Sequence, residues 1–333
     1  MSAPPLRPTA GAPPGGPTTP PMPRRSRRTL LLAAALLPLL PLAGAGAQQP
    51  TDRGRFRSWI DTTVAFQRDG HLDLTEIAGD VVVDTWDRDE VRVRAWAERG
   101  RVEASLSPSR VLLRTQRGTG RNVRESVGQS GMLVTVPANA RLKIVTTSGD
   151  MRLTGVRGEL EASTTSGDVA ITDGGSLTSV GTVSGDVTVR GLAGDLIVKT
   201  TSGDVTVSGT GGEVRVATVS GDVSLREAGS RAVTARTTNG SVTYEGAFAR
   251  GGRYEFATHS GDVRLVLPAG VNAEMTMQSF SGAMDTDFPV TLAGARSATR
   301  PRTLEFVIGE GGARVRAETF SGDVVLRRSG RDR

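Results

Sequence analysis

The sequence predicts an all-β fold, a parallel β-solenoid whose coils take about 18 residues and two short strands each. Three observations predict it. Ser148-Gly149-Asp150, Ser166-Gly167-Asp168, Ser184-Gly185-Asp186, Ser202-Gly203-Asp204 and Ser220-Gly221-Asp222 follow one another at intervals of 18 residues. Around each tripeptide apolar and polar residues alternate with period two, as strands require. Glycine is abundant (42 residues) and aromatics make up only 4%, a composition of short strands and tight turns.

Taken from the N-terminus, residues 1–47 read as an address. Residues 1–23 are Pro-rich and of low complexity, which predicts disorder. Arg24-Arg25-Ser26-Arg27-Arg28 precedes an apolar run from Leu30 to Leu42 and the small residues Ala43-Gly44-Ala45-Gly46-Ala47. Charge, apolar stretch and small residues in this order predict a signal peptide cleaved near Ala47. The run is short for a membrane span and contains Pro38 and Pro41, so no span is expected in the mature chain. Ser26-Arg27-Arg28 fits twin-arginine export as well as the general route, and Met22 is an alternative start to Met1. The leader holds five arginines and no acid, which accounts for most of the net charge of +6. The exported part is therefore near neutral and lacks the footprint of a nucleic-acid binder. The absence of cysteine excludes disulfides, thiolate metal sites, thiol catalysis and a cysteine lipid anchor.

Residues 48–140 predict a divergent β region that caps the N-terminal edge, since uncovered edges invite aggregation. Strand-like stretches occupy 64–67, 71–77, 81–85, 91–97, 111–115 and 132–136, and all three tryptophans lie here. Gly79-Asp80-Val81 echoes the repeat.

Residues 141–328 carry the repeat proper. Before each tripeptide stands an alternating strand, as in Ile144, Thr146, Ser148 and in Val198, Thr200, Ser202. After it come two apolar residues, as in Met151 and Leu153 or Val205 and Val207, and then a second Gly-rich turn such as 191–194 or 209–212. Such a unit is too short for a helical crossover between parallel strands. Coiling instead places equivalent residues about 4.8 Å apart, so that Val stacks on Val, Thr on Thr and Gly on Gly. Later copies are Asn239-Gly240-Ser241, Ser260-Gly261-Asp262, Ser281-Gly282-Ala283 and Ser321-Gly322-Asp323. The interval of 40 residues before the last predicts a hidden degenerate unit. The rival arrangement is an antiparallel meander or sandwich, and identical columns at constant spacing favour the solenoid over it. Residues 329–333 read as a basic tail.

Val134-Thr135-Val136-Pro137, Leu142-Lys143-Ile144, Thr147-Ser148-Gly149-Asp150 and the closing Phe320-Ser321-Gly322-Asp323-Val324 resemble a bacterial domain-of-unknown-function family of candidate adhesins. The resemblance covers about residues 60 to 328, and the copies at Gly79, Asn239 and Ser281 depart from its motif. It implies a β-repeat fold, export and a surface or adhesive role.

The chemistry is sparse. Asp150, Asp168, Asp186, Asp204 and Asp222 form a column that a calcium ion would relieve of repulsion, but one Asp and one Ser per coil fall short of six to eight oxygen ligands. Turn chemistry is the preferred reading. The Thr/Ser column is read as inward, its hydroxyls bonding along the solenoid, because no base accompanies it. His71 and His259 are the only histidines. Tyr244, Phe248, Tyr254, Phe256, Phe280 and Phe320 crowd the later coils and suggest a recognition patch, and residues 285–301 interrupt the period as a candidate binding loop. The reading is an exported, non-catalytic, adhesin-like module without cofactor, facing an envelope or surface partner, glycan or protein. The alternatives are a self-associating envelope scaffold and a carbohydrate-active β-helix enzyme.

Overall fold

The computed structural model describes residues 57–117, 128–289, 291–292 and 302–330. The leader, its cleavage point, both candidate starts and the end of the basic tail lie outside the described residues. Ala45–Arg333 forms one compact unit.

Every regular element among the described residues is a strand, and no helix there is long and apolar enough to cross a membrane. The first strands are β1 (Ser58–Ala65), β2 (His71–Trp86), β3 (Glu90–Ala97), β4 (Arg101–Leu106), β5 (Arg110–Gln116) and β6 (Ser130–Pro137). Regular coils follow, each a strand before the tripeptide and one after it. They are β7 (Arg141–Ser148) with β8 (Met151–Thr154), β9 (Leu160–Ser166) with β10 (Val169–Thr172), and β11 (Thr178–Ser184) with β12 (Val187–Leu192). Next come β13 (Leu196–Ser202) with β14 (Val205–Thr210) and β15 (Val214–Ser220) with β16 (Val223–Arg226). Then follow β17 (Ala232–Asn239) with β18 (Val242–Glu245) and β19 (Arg253–Ser260) with β20 (Val263–Leu267). The last strands are β21 (Ala273–Ser281), β22 (Met284–Thr286), β23 (Thr291–Leu292), β24 (Arg302–Ile308), β25 (Ala313–Ser321) and β26 (Val324–Arg328).

Strands before the tripeptide stack in parallel as sheet B, and those after it as sheet A. Val180 pairs with Ala162 on one side and Val198 on the other, and Val187 with Val169 and Val205. Like therefore lies on like at the repeat interval, which makes the fold a β-solenoid and excludes the meander. Alternation sends one set of side chains inward. Leu142 and Ile144 from sheet B and Met151 and Leu153 from sheet A begin apolar columns that continue through the coils and are essentially inaccessible to solvent. Each coil covers its neighbour's apolar residues, so no coil is stable alone.

Neither end keeps chain order. The first half of β2 lies between β5 and β7 in sheet B, and its second half between β6 and β8 in sheet A. Ala78 stands opposite Ser148, so residues 78–80 occupy the tripeptide position. Thus β2, inside the stretch expected to cap the solenoid, is itself a full coil. The N-terminal edges are covered by antiparallel strands, β1 on β3 on β6 in sheet A and β4 on β5 in sheet B.

At the other end the coil β25–β26 is inserted between two coils that precede it in sequence. Ser321 pairs with Ser260 and Ser281, and Val324 with Val263 and Met284. Among the described residues no degenerate coil fills the 40-residue interval. It holds β24, which runs antiparallel on β21, and β23 on β24. The chain covers the outer edge of sheet B in this way and then returns to lay its final coil inside.

Candidate functional site

The tripeptide corner answers two demands of the backbone. Gly167 and Gly221 each have φ 137°, a region that side chains avoid, and a Cβ on Gly185 would lie 2.2 Å from the carbonyl oxygen of Gly167. The aspartate serves the next coil. The backbone N–H of Asp168 donates to Asp150 Oδ1 (3.0 Å), that of Asp186 to Asp168 (2.9 Å), that of Asp204 to Asp186 (2.8 Å) and that of Asp222 to Asp204 (2.8 Å). The ladder starts at Asp80, which accepts from Asp150, and ends with Asp323, which accepts from Ala283. Carboxylates one coil apart repel by roughly 1 kcal/mol in water. A hydrogen bond to a charged acceptor contributes about 1.5–3 kcal/mol, so the ladder holds without a cation. Among the described residues no group of three or more His, Asp or Glu is placed to hold a metal ion. Ser281-Gly282-Ala283 lacks the carboxylate for a spatial reason: its coil lies outermost beyond β26, and no further coil offers it an N–H.

The hydroxyls behave differently from expectation. The serine of the tripeptide is exposed, or half-buried at Ser220, because the strand has already turned into the corner. The threonines two residues earlier are buried, but they do not bond to one another, since columns about 4.8 Å apart exceed hydrogen-bond reach. Thr258 Oγ1 donates to Gly240 O (2.8 Å) and Thr319 Oγ1 to Gly261 O (2.9 Å). The hydroxyls of Thr146, Thr164 and Thr182 are buried without a partner. In the β2 coil this position holds Glu76, which is buried and accepts from Thr115 Oγ1 (2.7 Å) and Ser130 Oγ (2.8 Å).

The expected aromatic patch divides. Tyr244, Tyr254, Phe256 and Phe248 form an interior cluster with ring centroids between 4.5 and 6.0 Å apart, filling coils widened by the longer spacing. Tyr254 donates to Ser230 O (2.7 Å) and Tyr244 to Ala247 O (2.9 Å), and burial pushes both phenols above their ordinary range. Only Phe280 and Phe320 stay outside. They stack at 4.6 Å, and His259 stacks on Phe320 at 4.8 Å. These rings extend an exposed column, one residue before each tripeptide serine, that includes Val183 and Val219 at about half exposure. The interrupting stretch begins pinned to the solenoid. Arg327 pairs with Asp285 (2.7 Å) and Asp287 (3.3 Å) and holds the Asp285 carboxyl below its ordinary range. Residues 290 and 293–301 lie outside the described residues.

The second corner, opposite the tripeptides, carries a groove of about 550 Å³ near the N-terminal end. Four turns build it: those after β2, after β6, after β8 and after β10. They contribute Trp86, Asn139, Arg157 and Asp173, with Arg68 and Arg88 at the margin. Trp86 is held in place. Its Nε1 donates to Glu90 O (2.7 Å), and the Arg88 guanidinium lies over the ring, 5.1 Å from its centroid. Arg68 is paired with Asp89 and Asp87, which hold its pKa above the ordinary value. Sequence reasoning passed over these residues. One signal was available: Asp173 stands where the register places Gly155, Gly191 and Gly209, and it keeps the left-handed backbone there (φ 56°).

A family model described as Toastrack DUF4097 matches residues 71–327, from the start of the β2 coil to the end of the inserted one. No curated protein matches the chain at a significant level. Among solved structures, the chain is similar to a candidate cell adhesion protein from Clostridium sporogenes, with 10% identity, TM-score 0.22, 81% of this chain and 100% of that one. It is also similar to a candidate adhesin from Bacteroides fragilis, with 10% identity, TM-score 0.32, 82% of this chain and 98% of that one.

Proposed function

The chain belongs to the Toastrack DUF4097 family, and on that premise we propose that it is an exported, adhesin-like binding module of the bacterial envelope without catalytic activity. One observation carries the reading. Much of the polar chemistry that the repeat supplies is engaged in its own fold: one oxygen of each corner carboxylate accepts the next coil's N–H, and the threonine two residues before each tripeptide serine is buried. Two sheet faces remain for contact, with a column at the margin of sheet B in which Val183, Val219, Phe320 and Phe280 stand exposed among threonines and His259. Exposed apolar side chains aligned on a rigid support favour binding over chemistry. Antiparallel strands cover both sheets at the N-terminal end and sheet B at the other, which favours a binder over a scaffold that assembles end to end.

Fractionation of the source cells with surface proteolysis tests export, and saturable binding of the purified protein to envelope fractions tests the role. The expected outcome is a processed, envelope-associated chain whose binding falls about tenfold when Val183 and Val219 are both replaced by lysine. An unprocessed cytosolic chain, or binding that never saturates, would overturn the proposal.

A further inference from the structure

We propose that the groove at the second corner is a saccharide site for a short glycan carrying a uronic-acid carboxylate, with Trp86 as ring platform, Arg157 as receptor for the carboxylate, and Asn139 and Asp173 as partners for ring hydroxyls. The inference rests on the reading of the chain as a binding module and names its ligand class.

Four properties of the groove point this way. The first is size: about 550 Å³ lies in the range of small-ligand sites. The second is hydrogen-bonding capacity open to a ligand. Among the described residues, the exposed side chains of Arg157, Asn139 and Asp173 make no hydrogen bond or ion pair to the protein, although Arg68 close by has two acids. A guanidinium, an amide and a carboxylate are planar groups able to engage two oxygens at once, which suits adjacent sugar hydroxyls and a sugar carboxylate. The third is the indole, fixed by its bond to Glu90 O and by Arg88, and able to receive the apolar face of a sugar ring. The fourth is how the floor is kept open. A Cβ on Gly155 would lie 2.3 Å from Thr85 Oγ1, so only glycine leaves this space. One coil on, Asp173 replaces glycine at φ 56°, in the left-handed region that few side chains adopt, and so places a carboxylate on the rim. Glu227 repeats the substitution in a turn that does not line the groove.

The unpaired guanidinium selects the ligand class. Arg68 is taken up by Asp87 and Asp89, and three guanidinium groups against three carboxylates leave no surplus charge. Arg157 has no acid partner among the described residues and is open to one carboxylate. A phosphate dianion carries twice the charge of a carboxylate and is repelled more strongly by Asp173, which disfavours it.

The test uses the purified mature protein and calorimetric titration with a tetrasaccharide of alternating glucuronic acid and N-acetylglucosamine. The N-acetylglucosamine tetramer and inorganic phosphate serve as comparisons. The acidic tetrasaccharide is expected to bind saturably, about fivefold or more tighter than the neutral tetramer, with an affinity that falls on adding salt. Arg157→Gln, at an exposed turn, is expected to weaken binding about tenfold with an unchanged circular dichroism spectrum. Trp86→Ala should abolish binding and Trp86→Phe restore part of it. Should the alanine variant fail to fold, the phenylalanine and Arg157→Gln variants decide. Binding unaltered in Arg157→Gln and Trp86→Phe, or phosphate binding as tightly as the tetrasaccharide, overturns the site. A protein that ignores the tetrasaccharide yet saturates envelope fractions overturns the saccharide site and leaves the binding module standing. One that does neither overturns both.

Discussion

At the scale of single residues, the tripeptide divides its work between backbone geometry and hydrogen bonding. Glycine is demanded twice, by a positive φ and by the carbonyl of the coil below. Aspartate is demanded only as an acceptor. Asp204→Ala leaves the Asp222 N–H to water and is expected to lower stability by about 1 kcal/mol, whereas Asp204→Asn keeps an acceptor oxygen and should stay within about 0.5 kcal/mol of the parent. Urea unfolding midpoints separate the two, and equal losses would refute the acceptor role. The buried tyrosines set a limit at high pH. Burial raises the Tyr244 phenol, with Tyr254 adding to it, so the folded chain retains a proton that the unfolded chain releases near pH 10. The stability tied to this phenol is whole below that pH and is lost as pH rises above it. Unfolding midpoints at pH 9 and pH 11 should show a fall that is smaller in Tyr244→Phe, and an equal fall in both would count against the assignment. Glycine and aspartate were legible in the sequence because their demand recurs at one interval. The direction of the serine was not, because a strand and the first residue of a corner look alike in period.

At the scale of the element, the coil is the exchangeable unit. Every regular corner presents the same N–H below and the same carboxylate above, so removing one whole coil joins equivalent edges. Deletion of residues 185–202 places the Asp204 N–H over Asp168 Oδ1 in the manner of its neighbours. The shortened chain is expected to fold with the same type of far-ultraviolet spectrum and a lower unfolding midpoint. Deleting only residues 185–193, half a coil, should abolish folding by sending strands of one sheet to the side of the other. Equal tolerance of both deletions would contradict a coil built on this period. The similarity of coils also explains why the sequence suggested an extra unit and left the order of the last ones unread. Ser281 and Ser321 both pair in the same column, and the one local mark of position is Ala283, which offers no carboxylate to a further coil.

At the scale of the whole molecule, order along the chain and order in space part at both ends. The β2 coil waits for β5 and β6 on one side and β7 and β8 on the other, and the final coil separates β19–β20 from β21–β22. Truncation after Gly312 therefore removes an interior layer, not a terminal one. It exposes Val263 and Leu265 on one side and the coil that begins with Ala273 on the other. The truncated chain should aggregate or bind a hydrophobic dye, and a soluble monomer with an unchanged melting temperature would argue against the inserted coil.

The sequence by itself determined the coil: its length, its two strands, the glycine and aspartate of its corner, and the parallel stacking that follows from identical columns. These are local demands repeated many times, and repetition makes them visible. Only the tertiary structure decided the neighbours of the terminal coils, the burial of Tyr244, Tyr254 and Phe256, and the meeting of Trp86, Asn139, Arg157 and Asp173 at one groove. The physical reason is that stacking brings together turns far apart in the chain, and a single side chain in one turn carries no mark of the turns beside it.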